Sequence, residues 1–259
     1  LNLVPVIAQH DSPVLITGET GTGKDLLAES VHKASHRSRE PFIRFSCGPM
    51  PSELLDAELF GRIQAAEGEL KPGRFQQAHG GTLYLSEIAD LPLPHQSRLV
   101  QFLDEGTVLP VGAIKPVRVN ARLMVSTAES PERLVREGRL REDLFHRISA
   151  IRLHLPRLKD RGEDLGFLLH HFMSQYAARF KKQITGISPR ALRIVSEHDF
   201  PGNVRELRNI MEFAAMVCPG DTIRTGHLPG HLVDLAAAGP TARRAEKVRK
   251  APRKGAEGN

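Results

Sequence analysis

The stretch that decides the fold is a glycine-rich loop between a predicted strand and a predicted helix. It reads Gly18, Glu19, Thr20, Gly21, Thr22, Gly23, Lys24 and Asp25. The spacing G-x-x-x-x-G-K lets the backbone curl so that its N–H groups point at phosphate oxygens, and the following helix adds the positive end of its dipole. Lys24 supplies a mobile positive charge for the β- and γ-phosphates. The loop therefore predicts a nucleotide-binding site made of these eight residues.

On either side of this loop, apolar runs alternate with helical stretches up to about residue 155. The predicted strands cover 14–17, 42–45, 82–85, 121–125 and 151–155. The predicted helices between them cover 25–34, 51–60, 94–105 and 131–137. Such alternation is typical of an α/β fold with a mainly parallel sheet flanked by helices.

After Pro156 the pattern predicts helices alone, over 164–180, 188–198 and 204–217. We therefore expect an α/β nucleotide-binding domain over 1–160 and a small all-helical domain over 161–232. The remaining residues, 233–259, have almost nothing to bury and are interpreted as a basic disordered tail or linker.

The net charge of +6 is concentrated in that tail. Seven basic residues and two glutamates fall within 241–259, which gives this segment +5 and leaves +1 for the other 240 residues. A basic run is a candidate nucleic-acid-binding element, but this one lacks interleaved aromatic residues. The near-neutral body gives no sign of a nucleic-acid-binding face.

Composition excludes other classes of protein. Two cysteines, Cys47 and Cys218, cannot build a disulfide framework, and no apolar run approaches the roughly 18–20 residues of a membrane span. We expect a cytoplasmic protein without membrane contact. Because the chain begins with Leu1 and no signal segment follows, we also expect it to be a fragment.

Further motifs follow the loop in a recognisable order. They are Glu58-Leu-Phe-Gly61, Gly73-Arg-Phe75, Gly80-Gly-Thr-Leu-Tyr-Leu-Ser-Glu-Ile88, Arg141-Glu-Asp-Leu-Phe-His-Arg147 and Phe200-Pro-Gly-Asn-Val-Arg-Glu-Leu207. Together they resemble the AAA+ domain of bacterial sigma-54-dependent transcriptional activators, the NtrC family, over about residues 1–232. The resemblance implies a P-loop AAA+ fold with a helical lid, which binds ATP or ADP with Mg²⁺ and assembles with itself into a ring or dimer.

The resemblance also implies roles for single residues. Glu87 matches the glutamate that polarises the attacking water. Arg141 and Arg147 match arginine fingers that reach the γ-phosphate held by a neighbouring subunit, a role suited to a planar and permanently charged group. Arg205 matches the sensor of nucleotide state in the helical domain, and the acidic Asp25 is typical of the family.

Three positions depart from the family in ways that affect hydrolysis. Ser86 stands where the family has an aspartate that anchors the Mg²⁺ shell, and a serine hydroxyl adds no charge to a metal site. Ser46 replaces an asparagine that switches the catalytic glutamate, and Ala128 replaces an asparagine that helps to position the water. We expect weak Mg²⁺ binding and weak or absent hydrolysis.

A fourth departure concerns the partner protein. Residues 62–72 are shorter than the family's loop and lack its Gly-Ala-Phe-Thr-Gly-Ala motif, which contacts the sigma factor. This loss resembles the NtrX-like branch of the family and predicts that contact with sigma-54 and RNA polymerase is lost. A DNA-binding helix-turn-helix and a receiver domain are expected outside this chain.

Three functions from different classes follow from these observations. The first, which we favour, is a regulatory module of a response-regulator type that binds nucleotide and oligomerises. The second is a working sigma-54-dependent activator ATPase, in which Glu87 and both finger arginines suffice. The third is nucleic-acid binding through the basic tail.

Overall fold

The computed structural model describes residues 4–48, 50–63 and 69–237. The chain divides into two compact units, Leu1–Arg157 and Leu158–Asn259. The division falls three residues before the expected end of the α/β domain at residue 160. Most of the expected tail, residues 238–259, lies outside the described part of the chain.

The first unit contains the glycine-rich loop and the long strands. Its strands are β1 Val14–Thr17, β2 Phe42–Ser46, β3 Arg62–Ile63, β4 Leu70–Lys71, β5 Thr82–Ser86, β6 Thr107–Val108, β7 Val117–Arg118, β8 Arg122–Thr127 and β9 Ile151–His154. Its α-helices are α1 Val4–Ala8, α2 Lys24–Lys33, α3 Ser52–Phe60, α4 Arg74–Gln77, α5 Leu93–Glu105, α6 Pro131–Arg136 and α7 Glu142–Ile148. A 3₁₀ turn covers Ile88–Asp90.

Five of these strands form one parallel sheet in the order β2-β5-β8-β1-β9. The parallel sheet expected from the sequence is confirmed. Because β1 lies between β8 and β9, the loop that leaves β1 starts inside the sheet rather than at its edge. The carboxyl ends of β1, β5 and β8 meet at the same edge, where ligands bind in open α/β sheets.

Side chains of β5 alternate between two cores, as the two-residue period of a strand requires. Leu83 and Leu85 pack into the larger core with α3, α4 and α5. Tyr84 packs on the other side, with Leu27 and Val31 of α2. The strand therefore presents Tyr84 to the helix that follows the glycine-rich loop.

Helix starts follow the local sequence. Ser130 precedes Pro131, and its hydroxyl accepts a hydrogen bond from the backbone N–H of Arg133 at 3.3 Å. A serine cap followed by proline is a favoured helix beginning, because proline lacks the N–H that a first turn leaves unpaired. Helices α4 and α7 were not predicted, since neither begins with a serine cap and proline as α6 does.

The second unit contains a helical core and one short sheet. Its elements are the 3₁₀ turn Leu158–Arg161, α8 Asp164–Arg179, β10 Gly186–Ile187, α9 Pro189–Ser196, α10 Asn203–Val217, β11 Thr222–Ile223, the 3₁₀ turn Thr225–His227 and α11 Gly230–Ala237. The expected helical domain is confirmed, and it also contains one short element that was not predicted, because β10 pairs with β11 in parallel. Two-residue strands are too short to show a strand period in the sequence.

Helix α11 corrects the expected start of the tail. It continues past residue 233 to Ala237, and Leu232 and Val233 pack against the core of the second unit. Residues 233–237 therefore belong to this helix rather than to a disordered tail. No helix in the described ranges is long and apolar enough to cross a lipid bilayer.

An ion pair fixes the start of the first unit to the sheet. Buried Arg37 donates to both carboxylate oxygens of half-exposed Asp11 at 2.9 and 2.8 Å, and also to the carbonyl of Gly80 at 2.8 Å. The hydrogen bonds from Arg37 hold the pKa of the Asp11 carboxyl below its ordinary value, although partial burial opposes them.

We expect Asp11→Asn to lower the free energy of unfolding by about 1 kcal/mol at neutral pH, since the pair is bidentate but half exposed. A carboxyl with a lowered pKa stabilises the fold fully above its unfolded pKa of about 3.9 and ceases to do so as the pH falls through the folded pKa. Urea unfolding of both proteins at several pH values measures this. A difference that does not shrink toward acidic pH would mean that packing, not charge, is lost.

Candidate nucleotide-binding site

The glycine-rich loop joins β1 to α2 in a conformation that favours glycine at three points. Gly18 has φ +151°, Gly21 has φ +82° and Gly23 has φ +102°. A Cβ atom on Gly18 would lie 2.6 Å from the carbonyl oxygen of Leu155, which follows β9. The hydroxyl of Thr22 donates to the carbonyl of Glu19 at 2.8 Å and closes the turn. The predicted loop is thus a tight backbone turn at the start of a helix, the geometry that cradles phosphate.

Lys24 lies under this turn with only 6% of its surface exposed. Its Nζ donates to the carbonyl of Gly18 at 2.9 Å and to that of Glu19 at 3.4 Å. It also lies 3.2 Å from Oε1 of Glu87. A buried ammonium group needs such partners because desolvation alone would disfavour its charge. The structure therefore brings together the loop lysine and the predicted catalytic glutamate.

Glu87 follows the last residue of β5 and has left-handed backbone angles, φ 55° and ψ 59°. Its other carboxylate oxygen, Oε2, accepts a hydrogen bond from the backbone N–H of Ala128 at 3.1 Å. Non-glycine residues in this region are uncommon and are a pointer to function. Each of the two carboxylate oxygens therefore has a donor, one from Lys24 and one from Ala128.

Ser46 and Ser86 stand at the ends of neighbouring strands. They are paired in the register of β2 and β5, and the backbone N–H of Cys47 donates to the carbonyl of Ser86 at 2.9 Å. The Ser86 hydroxyl makes a long contact, 3.5 Å, with the carbonyl of Phe45. Burial raises the pKa of the nearby Cys47 thiol to about 12, so this thiol stays protonated.

Sequence reasoning missed a hydrogen-bonded group beside the loop. The Tyr84 hydroxyl donates to Oδ1 of Asp25 at 2.7 Å and lies 2.8 Å from the hydroxyl of buried Ser126. Burial raises the pKa of Tyr84 above its ordinary value, while the contact with Ser126 opposes the shift. Tyr84 therefore remains a neutral donor to the loop carboxylate.

Mg²⁺ would meet oxygen ligands at this edge of the sheet. No group of three or more His, Cys, Asp or Glu side chains suitable for a metal occurs in the part of the chain that the structure describes. Mg²⁺ on a nucleotide needs only one or two carboxylates besides phosphates and waters. Asp25 supplies such a carboxylate and Ser86 a neutral hydroxyl, while Glu87 is engaged by Lys24 and the Ala128 N–H. This donor set fits a nucleotide-bound Mg²⁺.

The predicted finger arginines form ion pairs on the surface of the first unit. Arg141 precedes α7 and binds both carboxylate oxygens of Asp143, at 3.0 and 2.7 Å. Arg147, on α7, binds both oxygens of Asp104 at 2.8 Å each. These pairs raise the pKa of each guanidinium, so both arginines are fully charged. Exposed ion pairs of this kind contribute little to stability, so either arginine can exchange its carboxylate partner for another anion at small cost.

Arg205 lies in the second unit, exposed in the first turns of α10. The turn before it is fixed by Glu206, which accepts hydrogen bonds from the backbone N–H of Gly202 at 2.8 Å and pairs with Nε2 of His198 at 2.7 Å. Burial alone would raise the pKa of Glu206, but these hydrogen bonds lower it. Asn203, fully buried with φ 51°, accepts from the N–H of Leu158 at 2.9 Å.

A cleft of about 660 Å³ opens on the second unit, lined by apolar side chains that include Leu158, Phe167, Leu192 and Phe200. None of the predicted site residues lines it. The cleft is therefore not part of the site at the glycine-rich loop.

Comparisons with known proteins agree with this geometry. A family model described as the Sigma-54 interaction domain matches residues 1–154, and one described as the AAA+ ATPase lid domain matches residues 159–245. The DNA-binding transcriptional regulator NtrC of Salmonella typhimurium is 40% identical over 233 residues, which are 89% of this chain and 50% of NtrC. The acetoin catabolism regulatory protein of Cupriavidus necator is 43% identical over 238 residues, 90% of this chain and 35% of that protein.

Solved structures of NtrX from Brucella abortus are also similar. The complex with ADP has a TM-score of 0.80 at 36% identity, covering 88% of this chain and 52% of that one. The complex with ATP has a TM-score of 0.80 at 34% identity, covering 96% and 58%. The chain spans half or less of the two curated relatives named above. By its fold, its loop and these matches, the chain belongs to the Sigma-54 interaction domain family, as a mainly parallel P-loop AAA+ domain followed by a helical lid domain.

Proposed function

We propose that this chain is the nucleotide-binding and oligomerising AAA+ module of a bacterial transcriptional regulator, with slow or absent ATP hydrolysis. Its nucleotide-binding domain, expected over 1–160, corresponds to the first unit, and its lid, expected over 161–232, corresponds to the second unit as far as α11. The observation that carries the proposal is the double engagement of Glu87, by Lys24 at 3.2 Å and by the Ala128 N–H at 3.1 Å. NtrX of Brucella abortus has been solved in complexes with ADP and with ATP, which supports both nucleotides as ligands here.

Slow hydrolysis follows from what Glu87 is required to do. A general base must direct a carboxylate oxygen at the attacking water, in hydrogen-bond geometry. Here the contacts with Lys24 and the Ala128 N–H fix the direction of the two oxygens, and no asparagine side chain at position 46 or 128 can draw the carboxylate away. Ser86 leaves one fewer negative charge for Mg²⁺ than the family's aspartate does. Binding is therefore retained by the loop while the chemical step is impaired.

Assembly is the second part of the proposal. Arg141 is exposed and Arg147 partly exposed, and each pairs with a surface carboxylate that a neighbouring subunit's phosphate could replace. Arg147 also donates to the backbone carbonyl of Asp143 at 3.1 Å. Arg205 is likewise exposed on the lid. The module would then hold nucleotide between copies of itself, in a ring or dimer, and report nucleotide state through the regulator to which it belongs.

The remaining partners are proposed from the family. Residues 64–68 of the shortened sigma-contact loop lie outside the described ranges, and the lost motif supports loss of contact with the sigma factor. DNA binding is assigned to a helix-turn-helix outside this chain, and the regulator is placed in the cytoplasm. An active sigma-54-dependent ATPase is the alternative, and nucleic-acid binding through the basic tail is the second alternative.

The test is a paired measurement of ATP affinity and phosphate release over a range of protein concentrations. We expect measurable ATP and ADP binding, nucleotide-dependent assembly in sedimentation, and a phosphate release rate below about 0.1 s⁻¹ even when assembled, well under the typical range of enzyme turnover. Release at several molecules per second, rising with assembly, would favour the active ATPase. The same sedimentation run with a labelled DNA duplex tests the tail hypothesis.

A further inference from the structure

We propose that Asp25, oriented by Tyr84, supplies the carboxylate for the Mg²⁺ of a bound nucleotide, replacing the strand-end carboxylate that Ser86 lacks. This rests on the proposed function, since it requires nucleotide in the glycine-rich loop. Asp25 would then bind the metal as well as form part of the loop. Tyr84, a residue of the sheet core, would position the Asp25 carboxylate.

Few carboxylates near the glycine-rich loop are available to bind Mg²⁺ at the edge of the sheet. Ser86 carries none, and Glu87 is held between Lys24 and the Ala128 N–H. Mg²⁺ prefers oxygen ligands and binds nucleotide sites through one or two carboxylates. Asp25, the residue after Lys24, is the carboxylate that starts helix α2 at the loop itself.

A hydrogen bond from Tyr84 sets the direction of the Asp25 carboxylate. Its Oδ1 accepts the Tyr84 hydroxyl at 2.7 Å. Tyr84 lies two residues before Ser86 on β5, so the two side chains leave the same face of the sheet. The hydrogen bond therefore draws the Asp25 carboxylate toward the face of β5 on which the missing carboxylate would stand.

The Tyr84 hydroxyl is itself held in place by a second buried hydroxyl. Ser126 is fully buried, and its hydroxyl lies 2.8 Å from that of Tyr84. Because Tyr84 donates to Asp25, it accepts from Ser126, and the two hydroxyls form a chain that ends on Oδ1. Such a chain fixes one carboxylate oxygen and leaves the other, Oδ2, for a metal ion or its water.

The experiment measures ADP affinity by calorimetry on the full chain, in Mg²⁺ and in EDTA, so that no hydrolysis is involved. The ratio of the two affinities is the Mg²⁺ enhancement. We expect an enhancement of roughly tenfold in the unaltered chain and a loss to below about twofold in Asp25→Asn. In Tyr84→Phe we expect a two- to fivefold reduction, smaller than the roughly 10- to 100-fold typical of outer-shell partners because Asp25 itself remains. Mn²⁺ electron paramagnetic resonance with ADP gives an independent readout of metal binding.

Two further variants separate a metal role from damage to the loop. Adding Ser86→Asp to Asp25→Asn should restore the enhancement, because it returns a carboxylate to the strand end. Glu53→Gln, which alters an exposed acidic residue in the first turn of α3, should leave it unchanged.

Each outcome decides a separate point. Full enhancement in Asp25→Asn, or none in the unaltered chain despite ADP binding, would overturn the inference and leave the proposed function standing. No ADP binding at all by the unaltered chain would overturn both. Failure of Ser86→Asp to rescue Asp25→Asn would assign the loss to loop damage and overturn the inference.

Discussion

Lys24→Ala is expected to weaken ADP and ATP binding by roughly 30- to 4000-fold. Lys24 is almost completely buried and already carries two carbonyl partners and Glu87. Removing one partner from a buried, hydrogen-bonded charge pair costs about 2–5 kcal/mol, and each 1.4 kcal/mol is tenfold in affinity. The variant also leaves Glu87 without its cation next to the phosphates, which adds repulsion to the lost attraction. Calorimetric titration with ADP measures the effect.

The matched control is Lys33→Ala, at the other end of the same helix. Lys33 is 70% exposed and pairs with Glu29 on its own helix. We expect its affinity for ADP to stay within about twofold of the unaltered chain, in line with the small worth of exposed pairs. Equal losses in the two variants would mean that binding follows general positive charge rather than the loop.

Phe75→Ala is expected to lower the free energy of unfolding of the first unit by about 3–5 kcal/mol. Phe75, in α4, is fully buried, with its ring stacked 5.4 Å from that of Phe60 and tilted 4.5 Å from that of Phe102. The substitution removes a whole ring from the meeting point of α3, α4 and α5. Since a domain's total stability is typically about 5–15 kcal/mol, the loss is large enough to unfold part of the population.

Urea unfolding followed by far-UV circular dichroism measures this change, and Ile114→Ala is its control. Ile114 lies in the same unit but is 96% exposed, so its truncation should change stability by less than about 0.5 kcal/mol. A similar small change in Phe75→Ala would contradict the packing that the structure shows around the Gly73-Arg-Phe75 motif.

The long elements could be predicted from the sequence because their patterns are local. The run at 14–17 matches β1 in full, and those at 42–45 and 82–85 fall within one residue of β2 and β5. The strand predicted over 121–125 extends to Thr127, which reaches the edge where Ala128 meets Glu87. The pairs β3–β4 and β6–β7 went unpredicted because two-residue strands depend on tertiary contacts rather than on periodicity.

The site was predictable where side-chain identity carries the chemistry and not where the backbone does. The loop, Lys24 and Glu87 stand out by residue type and spacing. The N–H of Ala128 carries no sequence signal, because any residue but proline would provide it. Tyr84 resembles an ordinary strand residue, and its partner Asp25 is 59 positions away. Only the fold brings those two together.

The two-residue alternation of β5 limits which mutations this site can accept during evolution. Leu83 and Leu85 fill one core while Tyr84 faces helix α2, so the strand's parity connects packing to chemistry. Inserting or deleting a single codon within β5 would send the leucines toward the helix and the tyrosine into the opposite core. A point substitution at Ser86 or Tyr84 changes one side chain and keeps this alternation, whereas a length change in the strand would displace the nucleotide site and the core together.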